Sequence, residues 1–230
     1  MKPEAFSRRG WYHRCNAMEN QDSAVARNTG GISLAVLCDG AGSFSAGGIA
    51  AKIVAETVAE YLAREFRSLC GMDGAVARRQ LVQKIWQALH RYSLDTGTPE
   101  RELACTIVAA AMDKTGRGLC FHLGDGMALM VRRGSDSPEL VSAPENGLSG
   151  SSATYLTMNC DMFDRLRFSR WKAADVRGLC LLTDGAAAHL AKKTPDGWVF
   201  RPFFWERRKL AAQLQAENPE DDYSFALICR

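Results

Sequence analysis

The chain lacks several sequence patterns that would assign a chemistry at once. It has no Cys-x-x-Cys pair and no histidine spaced to match one, which argues against a structural zinc site. It also has no Gly-x-x-x-x-Gly-Lys-Ser/Thr loop, no Gly-x-Ser-x-Gly elbow and no His-Glu-x-x-His helix. These absences disfavour a P-loop nucleotide site, a serine hydrolase and a zinc protease.

Blocks of one charge sign and long apolar runs are also missing. The 29 basic and 26 acidic residues leave a net charge of +3 without a long run of either sign, so nucleic acid is not an expected partner. No uncharged stretch is both long and apolar enough to span a bilayer, and residues 1–14 carry charges without an apolar segment. We therefore expect a protein that is neither exported nor embedded in a membrane.

The cysteines are scattered rather than paired. They stand at positions 15, 38, 70, 105, 120, 160, 180 and 229. Most of them fall in apolar, strand-like runs, where a free cysteine packs as a small hydrophobic residue. This pattern indicates reduced thiols and a cytoplasmic location.

Length and composition favour a single domain over residues 1–230. The 230 residues are 47% hydrophobic, which is enough to bury a large core. There is no internal repeat, no low-complexity tract and no Pro- or Ser-rich linker that would divide the chain.

The most informative stretch is the one that ends at Asp39. An apolar strand over 32–38 leads into Asp39, the glycines at 40 and 42 follow, and a helical pattern starts near residue 45. An acid at the mouth of a strand is held rigidly, and the glycines leave the backbone open to a ligand. This arrangement indicates the corner of a metal site, although an Asp-Gly hairpin turn would look the same.

The remaining periodicities predict a mixture of helices and strands. A strand starting at Asp22 should form a hairpin with the 32–38 strand, which would place Asp22 and Asp39 on one edge if the register is antiparallel. Residues 104–112, 118–123 and 127–132 predict a meander of adjacent strands, and residues 135–152 predict a loop. Further strands are expected over 153–158, 166–171, 179–183 and 223–229, and further helices over 75–92, 186–192 and 205–217.

Aspartates recur where these strands begin or end. They are Asp22, Asp39, Asp125, Asp184 and Asp221 or its neighbour Asp222. If the strands share one sheet edge, the carboxylates converge, and such a cluster stays ionised only when cations neutralise it. Oxygen ligands without soft ones select Mg²⁺ or Mn²⁺, and two such ions can activate water against a phosphoester. The alternative is a set of independent turns and helix caps that never meet.

Six short motifs carry a family resemblance. They are Gln21-Asp22, the strand ending in Asp39-Gly40-Ala41-Gly42-Ser43, Cys105-Thr106-Ile107-Val108, Gly124-Asp125-Gly126, Leu181-Leu182-Thr183-Asp184-Gly185 and Asp221-Asp222-Tyr223-Ser224. In this order they resemble the metal-dependent protein phosphatases of the 2C family, particularly its bacterial branch, over residues 14–230. The resemblance implies an α+β fold of two antiparallel β-sheets packed as a sandwich and flanked by helices, in four layers.

The resemblance also implies roles for individual residues. Asp39 would bridge two Mn²⁺ or Mg²⁺ ions, and the carbonyl of Gly40 would bind one of them. Asp184 and Asp221 would complete one ion's ligands, Asp22 would hold a water on the metal, and Asp125 would serve a weaker third ion. The implied substrates are phosphoserine and phosphothreonine proteins, with a serine/threonine kinase as the counterpart enzyme.

The chain departs from the family pattern at three positions. Gln21 stands where the family usually has Glu, and Asp222 stands where it usually has Asn, but neither change removes a metal ligand by itself. Ala17 stands where a phosphate-binding arginine is usual. Arg14 and His13 are the nearby candidates to bind substrate in its place, although His13 is as compatible with a packed or exposed histidine. A phosphatase-like module that binds phosphorylated partners or a regulator without turnover is the rival function.

Overall fold

The fold is α+β, as the resemblance implies. The computed structural model describes residues 1–135, 137–145, 157–158, 161–202 and 205–230. The strands are β1 (Lys2–Arg8), β2 (Asp22–Thr29), β3 (Ile32–Asp39), β4 (Ile107–Asp113), β5 (Arg117–Leu123), β6 (Met127–Arg132), β7 (Glu139–Ser142), β8 (Arg167–Lys172), β9 (Val176–Leu182), β10 (Ala191–Thr194), β11 (Gly197–Phe200) and β12 (Tyr223–Cys229). The α-helices are α1 (Trp11–Cys15), α2 (Gly47–Leu69), α3 (Gly74–Thr96), α4 (Met162–Arg165), α5 (Asp184–Leu190) and α6 (Arg207–Glu217).

Two five-stranded antiparallel sheets make up the sandwich. The first sheet has the order β2-β3-β4-β5-β8, and the second has the order β1-β12-β9-β6-β7. The strands β10 and β11 form a separate hairpin. In the described part of the chain, no helix combines the length and the apolar character needed to cross a membrane.

The side chains of β3 show why the sheets pack in layers. Leu34 and Val36 point to the core between the first sheet and the helices α2 and α3. Ala35 and Leu37 alternate with them and point to the core between the two sheets, which also contains Leu181. A third core lies between the second sheet and the helices α5 and α6. A strand that is buried on both faces is nearly continuous in apolar residues, and residues 32–38 are apolar apart from Ser33.

The predicted meander is wrong at its third strand. The strands β4 and β5 do pair, but β6 pairs with β7 and β9 in the second sheet. The chain changes sheets at Gly124-Asp125-Gly126. A Cβ at Gly126 would lie 2.5 Å from Val108 Cγ2 and 2.8 Å from the Leu182 carbonyl oxygen, so only glycine fits this passage between the sheets.

Several predicted boundaries also need correction. The polar N-terminal segment contains β1, which pairs with β12 along its whole length. The predicted loop over 135–152 contains β7, and the helix predicted over 186–192 starts at Asp184 and gives way to β10 at Ala191. Residues 153–156 of the predicted strand over 153–158 lie outside the described residues, and Thr157 and Met158 are in a turn. The edge strands were missed because their half-exposed residues lack a clear alternation.

Candidate metal centre

Asp22 and Asp39 are paired residues in the antiparallel ladder of the first sheet. The strand β2 begins at Asp22, β3 ends at Asp39, and the register sets the two residues opposite each other. The backbone of Asp39 is held from the other side, because its amide donates to Thr106 Oγ1 at 3.1 Å and its carbonyl accepts from the Thr106 amide at 2.8 Å. The prediction that both acids share one sheet edge is confirmed.

The turn after Asp39 is packed against the start of α2. The Gly40 amide donates to the Gln21 carbonyl at 3.1 Å, which closes the hairpin edge beside Asp22. A Cβ at Gly40 would lie 2.4 Å from the carbonyl carbon of Gly47, the first residue of α2. Glycine at position 40 therefore lets the helix approach the backbone that follows Asp39.

The second sheet brings Asp184 close to Asp22 and Asp39. Thr183 follows β9, and its hydroxyl donates to Asp22 Oδ2 at 3.1 Å. The Thr183 amide donates to the Ser224 carbonyl at 3.0 Å, and the Ser224 amide donates to Thr183 Oγ1 at 2.9 Å. Thr183 thus joins Asp22 of the first sheet to the second sheet, immediately before Asp184.

The electrostatics show that the strand-end acids interact. Burial, with the charges of Asp184 and Asp222, raises the pKa of Asp22 from 3.8 to about 8. Burial also raises the pKa of Asp39 well above its usual value, and the charges of Asp22 and Asp184 add to the effect. Asp22 is only 5% exposed, so water cannot stabilise its ionised form.

Asp125 and Asp221 belong to the same cluster. The pKa of Asp125 is raised from 3.8 to about 7 by burial and then by the charges of Asp184 and Asp221. Asp221 keeps part of its surface in water, yet loss of hydration and the charge of Asp184 raise its pKa as well. All five strand-end carboxyls therefore converge, and the alternative of turns that never meet is not what the structure shows. We call these residues the carboxylate cluster: Asp22, Asp39, Asp125, Asp184 and Asp221.

The chemistry of the cluster fits a hard cation. Its donors are carboxylate oxygens, and the raised pKa values indicate that the folded chain itself does not neutralise their negative charge. Asp22 Oδ1 is buried and has no partner with hydrogen-bond geometry among the described residues. Among the same residues, no three His, Cys, Asp or Glu side chains are arranged to hold an ion by themselves. The raised pKa values and the unpartnered oxygen of Asp22 are the features that fit a cation.

Asp222 acts as an anchor for the N-terminal segment. Its Oδ1 accepts from the Gly10 amide at 2.9 Å, its Oδ2 accepts from the Gln21 amide at 2.6 Å, and His13 Nδ1 lies 2.8 Å from Oδ2. The side chain of Asp222 is 2% exposed. Of the two candidates that the sequence left open, Asp222 binds backbone amides through both oxygens, whereas Asp221, among the described residues, accepts from the Asp222 amide through Oδ1 alone.

The two predicted substrate-binding residues occupy different positions. His13 is buried against Asp222. Arg14 is exposed, and its guanidinium donates to the Arg9 carbonyl at 2.7 Å and to Asn218 Oδ1 at 2.6 Å. Ala17, at the position of the usual arginine, has a left-handed φ of 54°. The substrate-binding roles of His13 and Arg14 stay predictions.

Sequence reasoning missed two supporting residues of the site. Thr183 lies within one of the six motifs without a predicted role, although a hydroxyl directly before a strand-end aspartate is a visible signal. The anchoring role of Asp222 had no local signal, because its partners Gly10 and Gln21 lie more than 200 positions away in the chain.

Comparison with known proteins gives a consistent picture. The chain shares its fold with a bacterial serine phosphatase (TM-score 0.72, 16% identity, 100% of this chain and 97% of that one). It is similar to the serine/threonine phosphatase Stp1 from Staphylococcus aureus (TM-score 0.71, 15% identity, 100% and 95% coverage) and to the S. agalactiae serine/threonine phosphatase (TM-score 0.67, 15% identity, 98% coverage of each). No curated protein matches the chain significantly.

These likenesses at low identity show the fold alone, whereas the family comes from the sequence profile. The profile described as protein phosphatase 2C matches residues 9–221, which include every member of the carboxylate cluster. This chain belongs to the protein phosphatase 2C family.

Proposed function

We propose that this protein is a metal-dependent phosphoprotein phosphatase that hydrolyses phosphoserine and phosphothreonine with two Mn²⁺ or Mg²⁺ ions. Family and fold support a protein phosphatase. The observation that carries the metal-dependent mechanism is the carboxylate cluster, in which burial and the neighbouring negative charges raise the pKa values of Asp22, Asp39 and Asp125. Such a cluster is stabilised in its ionised form by divalent cations.

Each carboxylate has a proposed role. Asp39 would be shared between the two ions, and the Gly40 carbonyl would bind one of them. Asp184 and Asp221 would complete the ligands of one ion, and Asp22 would hold a water molecule. Asp125, which is 9% exposed and lies where the chain changes sheets, would serve a weaker third ion.

The chain's own residues orient this site. Thr183 holds the Asp22 carboxyl through its hydroxyl, and Thr106 fixes the backbone of Asp39. Bound divalent cations would polarise a phosphoryl oxygen and make a water molecule more acidic, so that the water attacks phosphorus and the serine or threonine oxygen leaves. Asp22 and Asp39 are accordingly the proposed catalytic residues.

The proposal extends to partners and location. The substrates are phosphorylated proteins, and a serine/threonine kinase supplies them. The described cysteines are all free, which supports the proposed cytoplasmic location. Nucleic acid and membrane are not among the proposed partners, and residues 1–230 are proposed to act as a single domain.

A metal-dependence assay tests the function. Purified protein stripped with a chelator should not hydrolyse a phosphothreonine peptide, and Mn²⁺ or Mg²⁺ should restore hydrolysis. A phosphotyrosine peptide of the same sequence serves as the substrate control and should react more slowly. Hydrolysis that persists after exhaustive chelation would refute the two-metal mechanism.

The rival function is a binding module of low catalytic activity. The alanine at position 17 favours it, because the usual phosphate-binding arginine is absent there. Such a module should bind a phosphopeptide without turning over even a generic aryl phosphate in the presence of Mn²⁺. Manganese-dependent release of phosphate from the aryl substrate would show that the protein is an enzyme and not only a binding module.

A further inference from the structure

A cavity of about 380 Å³ lies beside Asp22, and two basic and two acidic residues line it. Arg9 and Lys52 line it together with Asp22, Ser7, Glu19 and Asn20. The cavity therefore sets two cationic side chains next to a member of the carboxylate cluster. A phosphate dianion that approaches five carboxyl groups needs such cations around it, because like charges repel it otherwise.

Arg9 is held at the wall of this cavity. It follows β1 and is exposed, and its Nη1 donates to the Met18 carbonyl at 2.9 Å. This hydrogen bond draws the guanidinium to the segment that leads into β2 and uses one of its five N–H donors. In the part of the chain that the structure describes, Arg9 forms no ion pair with a carboxylate, so its charge remains available to a ligand.

The other nearby cations are less suited to bind phosphate. Lys52 Nζ lies 3.9 Å from Glu19 Oε2, which offsets its charge. Arg14 directs its guanidinium at the Arg9 carbonyl and at Asn218 Oδ1. Arg14 therefore holds the backbone of Arg9, and its own donors point to protein acceptors.

We propose that Arg9 binds the phosphate group of the substrate and that Arg14 is a positioning residue for Arg9. This inference rests on the proposed phosphatase function. The planar fork of a guanidinium matches two phosphate oxygens and gives charge-assisted hydrogen bonds, which an ammonium cannot reproduce with the same geometry. Arg9 lines the same cavity as Asp22, so a phosphate bound there would lie next to one member of the carboxylate cluster.

The test measures binding as well as turnover. The two probes are a phosphoserine peptide for steady-state kinetics and the same peptide with a hydrolysis-resistant phosphonate for direct binding by fluorescence anisotropy, both with Mn²⁺. Arg9→Ala should raise KM and the Kd of the phosphonate peptide about tenfold, with kcat changed less than about threefold. Arg9→Gln retains a donor for the Met18 carbonyl and should weaken binding similarly, because the charge is lost.

Three further variants separate the role of Arg9 from other effects. Arg9→Lys should recover binding only in part, since the fork is missing. Arg8→Ala is the matched control, because Arg8 is also exposed and does not line the cavity, and its Kd should stay within about twofold of the wild type. Arg14→Ala should weaken binding about threefold, less than Arg9→Ala.

The results distinguish this inference from the proposed function. If the wild type hydrolyses the peptide and Arg9→Ala leaves both KM and Kd unchanged, the inference is overturned and the function stands. If Arg14→Ala weakens binding more than Arg9→Ala does, Arg14 binds the phosphate directly and the inference is overturned. If the wild type binds the phosphonate peptide but hydrolyses nothing, the function fails and the Kd ratio still decides the role of Arg9. If it neither binds nor hydrolyses, both fail.

Discussion

Asp22 and Asp39 lie opposite each other at the open end of the β2–β3 ladder. Two carboxyl groups in this relationship repel each other when both are ionised, and burial strengthens the repulsion because water is excluded. The remaining members of the cluster reach them from the passage between the sheets and from the second sheet. This repulsion underlies the proposed metal dependence, which leads to the predictions below.

Asp39 and Asp125 should differ in their effect on metal binding. Asp39→Asn removes the proposed bridging charge, so it should lose at least about 100-fold in turnover and bind the two ions much more weakly. Asp125→Ala removes only the proposed ligand of the weaker ion, so the two tight sites should remain. Calorimetric titration with Mn²⁺ measures both variants. Wild-type binding of two ions by Asp39→Asn, or loss of all binding in Asp125→Ala, would show that these roles are wrong.

Stability without divalent cations should depend on pH through Asp22. Its pKa is raised from 3.8 to about 8 on folding. Between these values the folded carboxyl keeps a proton that the unfolded chain has released, so the free energy of unfolding falls as pH rises, by at most about 1.4 kcal/mol per pH unit for one proton. Denaturant unfolding in the presence of a chelator, measured from pH 5 to pH 8, should therefore show a steeper fall in the free energy of unfolding for wild type than for Asp22→Asn.

The same linkage predicts how Mn²⁺ stabilises the fold. In the proposed mechanism Mn²⁺ binds the ionised cluster, so it should raise the melting temperature more at pH 8 than at pH 5. Asp22→Asn is again the comparison, because the contributions of other titrating groups are shared by both proteins. Equal pH slopes in the two proteins would contradict the assignment of the raised pKa to Asp22.

Asp222→Asn should destabilise the protein even though an asparagine is usual at this position in the family. Both carboxylate oxygens of Asp222 accept from buried or half-buried backbone amides, those of Gly10 and Gln21. An asparagine has one acceptor oxygen, so one amide loses its partner at a cost of about 1–3 kcal/mol. Urea denaturation measures the change, with the exposed Asp95→Asn as a control that should stay within about 0.5 kcal/mol. No loss in Asp222→Asn would mean that the N-terminal segment is not held through this side chain.

Gly185→Ala should be among the more damaging glycine substitutions. A Cβ at position 185 would lie 2.1 Å from the Asp222 carbonyl oxygen, a backbone atom that cannot move without disturbing Asp221. We expect a loss of about 2 kcal/mol or more, together with weaker metal binding. Gly74→Ala is the matched control, since its Cβ would make an ordinary 3.7 Å contact with Phe168 at the first turn of α3. Equal melting temperatures for the two variants would contradict this explanation.

Most of the fold could be predicted because its signals are local. Residues 32–38 are apolar apart from Ser33 and form the predicted buried strand, and the mostly apolar strands β6 and β12 have the predicted boundaries. The edge strands β1 and β7 lack this signal, because their residues are half exposed and their pairing depends on partners elsewhere in the chain.

The sequence by itself determined which aspartates end strands, since an apolar run followed by Asp-Gly is a property of neighbouring residues. Only the tertiary structure decided that β6 belongs to the second sheet, that Asp222 anchors Gly10 and Gln21, and that Arg9 and Asp22 line one cavity. These are contacts between residues far apart in the chain. They depend on how two sheets pack, and no local pattern specifies that packing.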